Sequence, residues 1–473
     1  MVTLVTIGRS RYYLALNITD RPYLRRGAPK SKLLHNQITW LALMAKIRHE
    51  LRDAVHDFVH FNNLEKCLID SVPFQRLRSI HQLAMSYEVY PGATHRRFEH
   101  CLGVMEVAGR IFDGLFEGQI DQRVQDRISD EMQGANKNYW RSVLRAAALL
   151  HDVGHLPFSH AAEKALLPEG WDHERMTAEI IRNSELKGIL ENPSPPIKAE
   201  DVIDVAWDFR KRKDVTLTPW KTLLNEIITG NTFGADRIDY LLRDSYHVGV
   251  PYGKIDPSRL ISGLRVTIDP SNNEIALGLD VGSLHPAEAL LLARYFMYVQ
   301  VYLHSVRRIY DIHLKDFLLA YLPGSKFPSD WNEFLKLTDD EIMSALRLSL
   351  ADTGDKNHEL ASRVIGRKHF RTVYELLSPH KLKSATIFDD AVEFAQREFG
   401  GENVRSDSYA PKSEGNDFLV IMDDGSVQSS LDISSVLPNL PRVEIGLIFL
   451  PLSLKVDGEK KIRTFVEKRL EDN

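Results

Sequence analysis

Histidine and aspartate recur in three separated segments: His100 in RRFEHCLG, His151 and Asp152 in LLHDVGH, and Asp236 in GADRIDY. Together they make a mixed nitrogen and oxygen shell without sulfur, which suits a borderline or hard divalent ion such as Mn, Mg, Fe or Zn. Such an ion beside water and a phosphoryl oxygen performs hydrolysis. The stripe Trp140, Val143, Leu144 and Ala147 runs at helical spacing into His151 and aims that imidazole at the core, with Asp152 about 100° further round the axis. The run AAALL just before them predicts burial, and a buried carboxylate is costly without a counter-charge, which a metal supplies.

Around this set lie groups suited to binding phosphate and moving protons. His155 sits one turn beyond His151, and His160, Glu163 and His173 follow in a segment rich in titratable side chains. Imidazoles there can touch phosphate and protonate a leaving oxygen, with Glu163 orienting one of them. Arg97 precedes His100 by one helical turn and so projects near the same face, where a guanidinium can hold a phosphate oxygen. Asp236, Tyr240, Asp244 and His247 share one face of a helix whose other face carries Ile238, Leu241 and Leu242.

The elements that must position these residues are mostly helical. Helical periodicity dominates from about Trp40 to Leu322 and is clearest at Trp140 to His151, at Phe98 to Phe116 and from Ala287 to Leu322. Beyond that, helices are expected at Asp340 to Leu350 and Asp389 to Phe399, strands at Phe418 to Met422 and Val443 to Phe449, and a flexible loop around Gly401 to Asp417. The expected fold is mainly α, with an N-terminal arm over 1–45, a helical core over 46–325 and a smaller C-terminal α+β region over 326–473. The arm's basic cluster, Arg21, Arg25, Arg26, Lys30 and Lys32, reads as solvated rather than as polyanion-binding. RKRK at Arg210 to Lys213 reads as a solvated loop, and NPSPP at Asn192 to Pro196 as a rigid one.

Composition narrows the class. A chain of 473 residues, 43% hydrophobic and 26% charged, is globular and longer than a single core usually organises. A formal charge of -5 argues against a whole-surface nucleic-acid binder. Cys67 and Cys101 alone make no disulfide framework and point to a reducing compartment. The most apolar stretch, near Ile445 to Leu454, contains Pro451 and is about half of what a bilayer crossing needs. The first residues lack the pattern of a secretory signal, so a cytoplasmic protein without a membrane partner is expected. No Gly-rich phosphate loop with a following Lys-Ser or Lys-Thr is present, which argues against a P-loop NTPase.

The segments RRFEH, LLHDVGHLPFSH and ADRIDYLLRDSYHVG closely resemble the HD-domain metal-dependent phosphohydrolases, and within them the deoxynucleoside triphosphate triphosphohydrolases that include the dGTPases and the sterile-alpha-motif and HD-domain dNTPase. The similarity spans roughly Arg52 to Tyr310 and takes in IDSVPFQRLRSIHQL and YPGATHRRFEH. It implies an HD-domain helical phosphohydrolase core, one divalent metal held by His100, His151, Asp152 and Asp236, and hydrolysis of a dNTP to deoxynucleoside and inorganic triphosphate. The same resemblance makes His160 the general acid with Glu163 as its partner, and puts His155 and His173 near the phosphates. It makes Tyr240 a sugar-packing residue and Asp244 the acceptor of the sugar 3′-hydroxyl, with Gln82 and Leu83 excluding a 2′-hydroxyl. Asp70, Gln75 and Arg78 match a guanine-nucleotide activator site between subunits, so a homo-oligomer, dimer or tetramer, is implied. The segment MYVQVYLHSVRRIYDIHL departs from the family where a basic phosphate contact is expected: Gln300 stands near that position, and Arg237, Arg243, Arg307 and Arg308 are the available substitutes. Two other readings stay open. One is a phosphodiesterase or nuclease acting on single-stranded nucleic acid, which the basic arm favours; the other is a nucleotide sensor without turnover, which His155, His160 and His173 disfavour.

Overall fold

The computed structural model describes residues 49–116, 120–132, 135–159, 163–212, 215–410 and 416–471, with the backbone of two strands nearer the N-terminus. Those strands, Val2–Ile7 and Ser10–Ala15, pair antiparallel within a unit covering Met1–Arg48. The basic residues Arg21 to Lys32 lie outside the described residues. The second unit, His49–Asn473, holds the rest.

Helix α1 (Arg97–Phe116) buries residues on every side, among them Phe98, Leu102, Met105, Ile111 and Phe112. A helix apolar all round sits at the centre of a bundle. Helix α2 (Ala135–Leu150) packs along it and ends in five fully buried residues, Ala146 to Leu150. Each buried Leu or Phe contributes roughly 1.5–3 kcal/mol, so the register of α2 against α1 is firmly set. Helix α2 stops at Leu150 instead of running through His151, and the chain continues as turns, with the Val153 N–H donating to the Leu150 carbonyl at 3.1 Å and the His155 N–H to that of Asp152 at 3.1 Å. Gly154 and Pro157 keep the chain from resuming the helix: the first disfavours it and the second cannot donate to it. Helix α3 (Ala235–Val248) crosses α1 closely because Gly103 has no side chain; a Cβ there would overlap the Asp239 carboxylate. Its C-terminus turns off through Gly249 at φ +80°, a left-handed cap that glycine adopts without strain.

The stretch expected as one helix from Ala287 to Leu322 is two. Helix α4 (Leu284–Met297) opens into a wide π-turn over Tyr298–Tyr302, and after Leu303 and His304 helix α5 (Ser305–Tyr321) begins. The wide turn carries Tyr302, whose hydroxyl donates to Asp244 Oδ2 at 2.7 Å. His304 leaves helical geometry at ψ 128° and caps α5, its Nδ1 accepting from the Val306 N–H at 3.3 Å.

Strands also enter the region expected to be helical. Leu264–Ile268 and Ile275–Asp280 form an antiparallel hairpin, and Ile275–Asp280 then pairs in parallel with Leu419–Ile421, which pairs with Val427–Ser429. A second sheet has Ile445–Leu450 between Arg371–Glu375 and Arg405–Tyr409, both antiparallel to it. Helices Ile387–Phe399 and Lys455–Glu471 pack on it around a separate core that includes Val373, Ala391, Ile448, Ile462 and Val466. Arg405–Tyr409 falls inside the segment expected to be a flexible loop; its polar sequence RSDSY suits an outer strand whose Asp407 pairs with Arg308 on α5.

Where α5 meets this sheet, the buried His313 accepts the Phe370 N–H at Nε2, 3.1 Å away. Burial first, then the charges of Arg363 and Arg405, hold its pKa down at about 3. The unfolded chain, titrating near the ordinary 6.5, therefore binds the proton first, and this contribution to stability is complete above pH 6.5 and lost as pH falls towards 3. We expect His313→Gln, which keeps an acceptor, to remove about 2 kcal/mol of the stability lost between pH 7 and 5, read from urea unfolding at both pH values.

Candidate active site

Three elements end or begin at one point. His100 lies in the first turn of α1, His151 and Asp152 follow the last residue of α2, and Asp236 occupies the first turn of α3. The His100 Nε2 stands 3.0 Å from Asp236 Oδ1, and the His151 Nε2 is 3.4 Å from Asp152 Oδ1 and 3.8 Å from Asp236 Oδ1. Asp152 Oδ2 is 3.8 Å from the His100 Nε2. Both His100 and His151 are buried, and neither Nε2 has a hydrogen-bond partner among the described residues.

The opposite ring nitrogens are fixed. His100 Nδ1 lies 2.7 Å from Asp239 Oδ2, and His151 Nδ1 lies 2.8 Å from the Ala148 carbonyl. Carboxylate and carbonyl oxygens only accept, so both imidazoles carry hydrogen on Nδ1 and direct Nε2 towards the shared carboxylates, where it holds a proton or, once deprotonated, can bind a cation. Two such nitrogens with two carboxylates fit a divalent cation taking nitrogen and oxygen ligands. The electrostatics agree: burial opposes charge on His100, but Asp236 and Asp239 outweigh it and lift its pKa to about 9. Burial likewise opposes charge on His151, and Asp152 and Asp236 nevertheless raise it well above the ordinary range. The pocket is built to hold positive charge.

Asp239 was not singled out by spacing, yet it organises the centre. It accepts from His100, from His56 Nε2 at 2.6 Å, and from Arg243 at 2.9 and 3.0 Å. Arg243 also donates to Asp53 at 2.8 and 3.2 Å. Asp53 and His56 sit at the turn of the hairpin His49–Asp53 and Asp57–Phe61, where Asp53 Oδ1 accepts the N–H groups of Val55 and His56, each at 2.9 Å. That turn presents His56 to Asp239. Arg243, one candidate phosphate ligand, is therefore sealed in this network with no exposed surface.

A second group adjoins the first. His155 Nε2 is 3.2 Å from Asp152 Oδ1, and its ring stacks on that of His173 at 4.1 Å. Glu163 accepts at Oε1 from both the Nδ1 and the backbone N–H of His173, each at 2.7 Å. Burial, then the charges of Arg97 and His173, push the pKa of His155 well down. Burial opposes charge on His173, but the Glu163 hydrogen bond raises its pKa. Two imidazoles whose pKa values are pushed in opposite directions thus lie face to face. Gly154 permits this: a Cβ there would come within 2.3 Å of the backbone of His173 and Thr177. His160 lies outside the described residues.

Both groups open into a cavity of about 540 Å³ whose wall includes Gln82, Leu83, Arg97, Tyr240 and Asp244. Asp244 is buried and held at both oxygens, by His95 Nε2 at 2.7 Å and the Tyr302 hydroxyl at 2.7 Å. Arg97 faces the cavity but donates to Asp152 and, at 2.9 Å, to Ser159 Oγ. Arg237, Arg307 and Arg308 line the cavity, while Gln300 is an exposed residue outside its wall. Arg210 and Lys211, expected in a solvated loop, also line it, with Lys211 Nζ 3.1 Å from Glu174 Oε2. The RKRK run gave no periodic signal that could have foretold this. Asp70, Gln75 and Arg78 lie outside that wall: Asp70 pairs with Lys66, and Arg78 donates to Gln75 at 2.8 Å while covering the Phe98 ring at 3.5 Å.

Residues 97–244 match the HD domain and residues 255–393 the HD associated region. A hypothetical protein from Aquifex aeolicus has a crystal structure 33% identical in sequence, with a TM-score of 0.72, covering 88% of this chain and all of that one. The chain belongs to the HD-domain family. A phosphohydrolase from Bacteroides thetaiotaomicron shares the fold at a TM-score of 0.63 and 23% identity, over 85% of this chain and 99% of that one. Mouse SAMHD1, a deoxynucleoside triphosphate triphosphohydrolase, is 27% identical over 72% of this chain, which spans 56% of that protein's length. No helix among the described residues is long and apolar enough to cross a membrane.

The Asp239 carboxylate sets the tautomer of His100, so we expect Asp239→Asn to weaken Mn²⁺ binding roughly 10- to 100-fold by isothermal titration calorimetry, against the wild-type protein stripped with chelator.

Proposed function

We propose that the protein hydrolyses deoxynucleoside triphosphates to deoxynucleoside and inorganic triphosphate. The observation that carries this reading is a single cavity in which His151, Asp152 and Asp236, with His100 behind them 3.0 Å from Asp236, share space with Asp244, the paired rings of Tyr240 and Tyr302, and several cationic side chains. Its volume of about 540 Å³ is in the range of small-molecule sites and suits one nucleotide better than a continuous polynucleotide. The likeness to mouse SAMHD1, named for this activity, supports the same substrate class.

A divalent ion held by His100, His151, Asp152 and Asp236 supplies, when bound, polarisation of a phosphoryl oxygen and acidification of water at the α-phosphorus. The residues do the rest. Arg97 anchors Asp152 and turns its remaining surface to the phosphates. Arg237, Lys211 and Arg308 line the path for the β- and γ-phosphates. His155 contacts the phosphate chain, and His173, whose pKa the Glu163 hydrogen bond raises, stacks beside it. His160 donates the proton to the departing ribose 5′ oxygen, in the role its family position suggests. Tyr240 packs on the sugar, Asp244 accepts its 3′-hydroxyl, and Gln82 and Leu83 crowd the 2′ position. Asp70, Gln75 and Arg78, in a homodimer or tetramer, form the activator-nucleotide site of the same proposal.

Incubation with each dNTP and its ribonucleotide, singly and mixed, with Mn²⁺ or Mg²⁺ and ion-exchange analysis of the products, tests this. We expect triphosphate and deoxynucleoside in equal amounts, activity at least about 100-fold lower in His151→Ala and Asp152→Ala, and little turnover of ribonucleotides. Intact dNTPs alongside shortened single-stranded DNA would replace the assignment with a nuclease.

A further inference from the structure

His95 faces no part of the cavity wall, yet it binds two of the groups that form it. Its side chain has no exposed surface, and its Nε2 stands 2.7 Å from Asp244 Oδ1. Its backbone carbonyl accepts the Gln82 N–H at 3.0 Å, and two residues on the Arg97 N–H donates to Ile80 at 3.0 Å, so that residues 80–82 are zipped to 95–97. The ring is backed by His247, stacked at 4.6 Å and 16°.

Asp244 needs this support. Its side chain is 2% exposed, and the only other described donor to it is the Tyr302 hydroxyl on Oδ2. A buried carboxylate oxygen left without a donor turns to find one or carries the full cost of desolvation. With Nε2–H fixed on Oδ1 and the tyrosine on Oδ2, the carboxylate plane is set and its remaining lone pairs point in fixed directions. The Gln82 backbone is held by the carbonyl of the same residue. The two sides of the proposed sugar subsite, Gln82 with Leu83 and Asp244, are thereby joined through one residue that touches neither solvent nor cavity.

We infer that His95 is the positioning residue that fixes both walls of the sugar subsite and sets recognition of the 3′-hydroxyl through Asp244. This rests on the dNTP reading above. His95→Leu removes the donor while filling similar space, and His95→Gln restores a donor of similar reach.

The test compares kcat/KM for a dNTP and for its 2′,3′-dideoxy analogue, which lacks the hydroxyl that Asp244 would accept, in wild type, His95→Leu and His95→Gln, each checked for a cooperative unfolding transition. We expect His95→Leu to lose about 10- to 100-fold on the dNTP, chiefly in KM, and to change little on the dideoxy substrate, so that the wild-type preference collapses. His95→Gln should recover most of it. Equal losses on both substrates, or an unchanged preference, would overturn the assignment and leave His95 a packing residue. Should His95→Leu fail to fold, His95→Asn, too short to reach Asp244, gives the same comparison. A wild-type protein that cleaves no nucleotide refutes the dNTP reading itself, and the inference falls with it; one that cleaves both substrates equally refutes the inference alone.

Discussion

A fully buried carboxylate, Asp239, holds the rest of this structure to its site. Taking a carboxylate out of water costs several kcal/mol unless its lone pairs are filled and a counter-charge is near. Arg243 supplies the charge from the next turn of the same helix, and His56 and His100 complete the shell. Each requirement has a structural consequence. Gly103 must lack a side chain so that α3 can reach α1, and the hairpin at 49–61 must fold over the pair to bring in His56 and Asp53. His100 must keep its hydrogen on Nδ1, which leaves Nε2 for a metal. The network that satisfies one buried charge therefore also prepares the ligand field beside it.

Residue types and spacing marked the His and Asp cluster more readily than the architecture around it. His100, His151, Asp152 and Asp236 announce themselves because histidine and aspartate at the ends of apolar helices have few reasons to be buried together. The stripe from Trp140 to Ala147 gave α2 and its direction, although not the break at Leu150. Periodicity could not show the π-turn at Tyr298–Tyr302, since one extra residue leaves an apolar and aromatic run looking continuous. Nor could it show the strand Arg405–Tyr409: its polar residues are stabilised by backbone pairing to Ile445–Leu450 and by a pair with Arg308, both distant in sequence. His56, His95 and Asp239 were missed for the same reason. The pairs His56–Asp239, His100–Asp239 and His95–Asp244 each join residues well over a hundred positions apart, which no local pattern marks.

The cavity is assembled in the same distributed way. Its floor comes from the HD-domain helices, one wall from the segment after α4, and another from the outer strand of the C-terminal sheet, where Tyr409 faces the space and Asp407 ties Arg308. The cations illustrate how a count of basic residues misleads. Arg243 belongs to the buried network and Arg97 to Asp152, whereas Lys211 comes from a loop that looked merely soluble.

That last wall has a consequence for the order in which the molecule matures on the ribosome. Chains emerge from their N-terminus and fold as units become available. The residues that converge on the proposed metal, His100 to Asp236, have all been synthesised once α3 has left the exit tunnel. Arg405–Tyr409 cannot dock until its central partner Ile445–Leu450 has been synthesised. The compartment around the His and Asp cluster therefore lacks a side until synthesis is nearly complete, and closing it is among the last things the growing polypeptide can do.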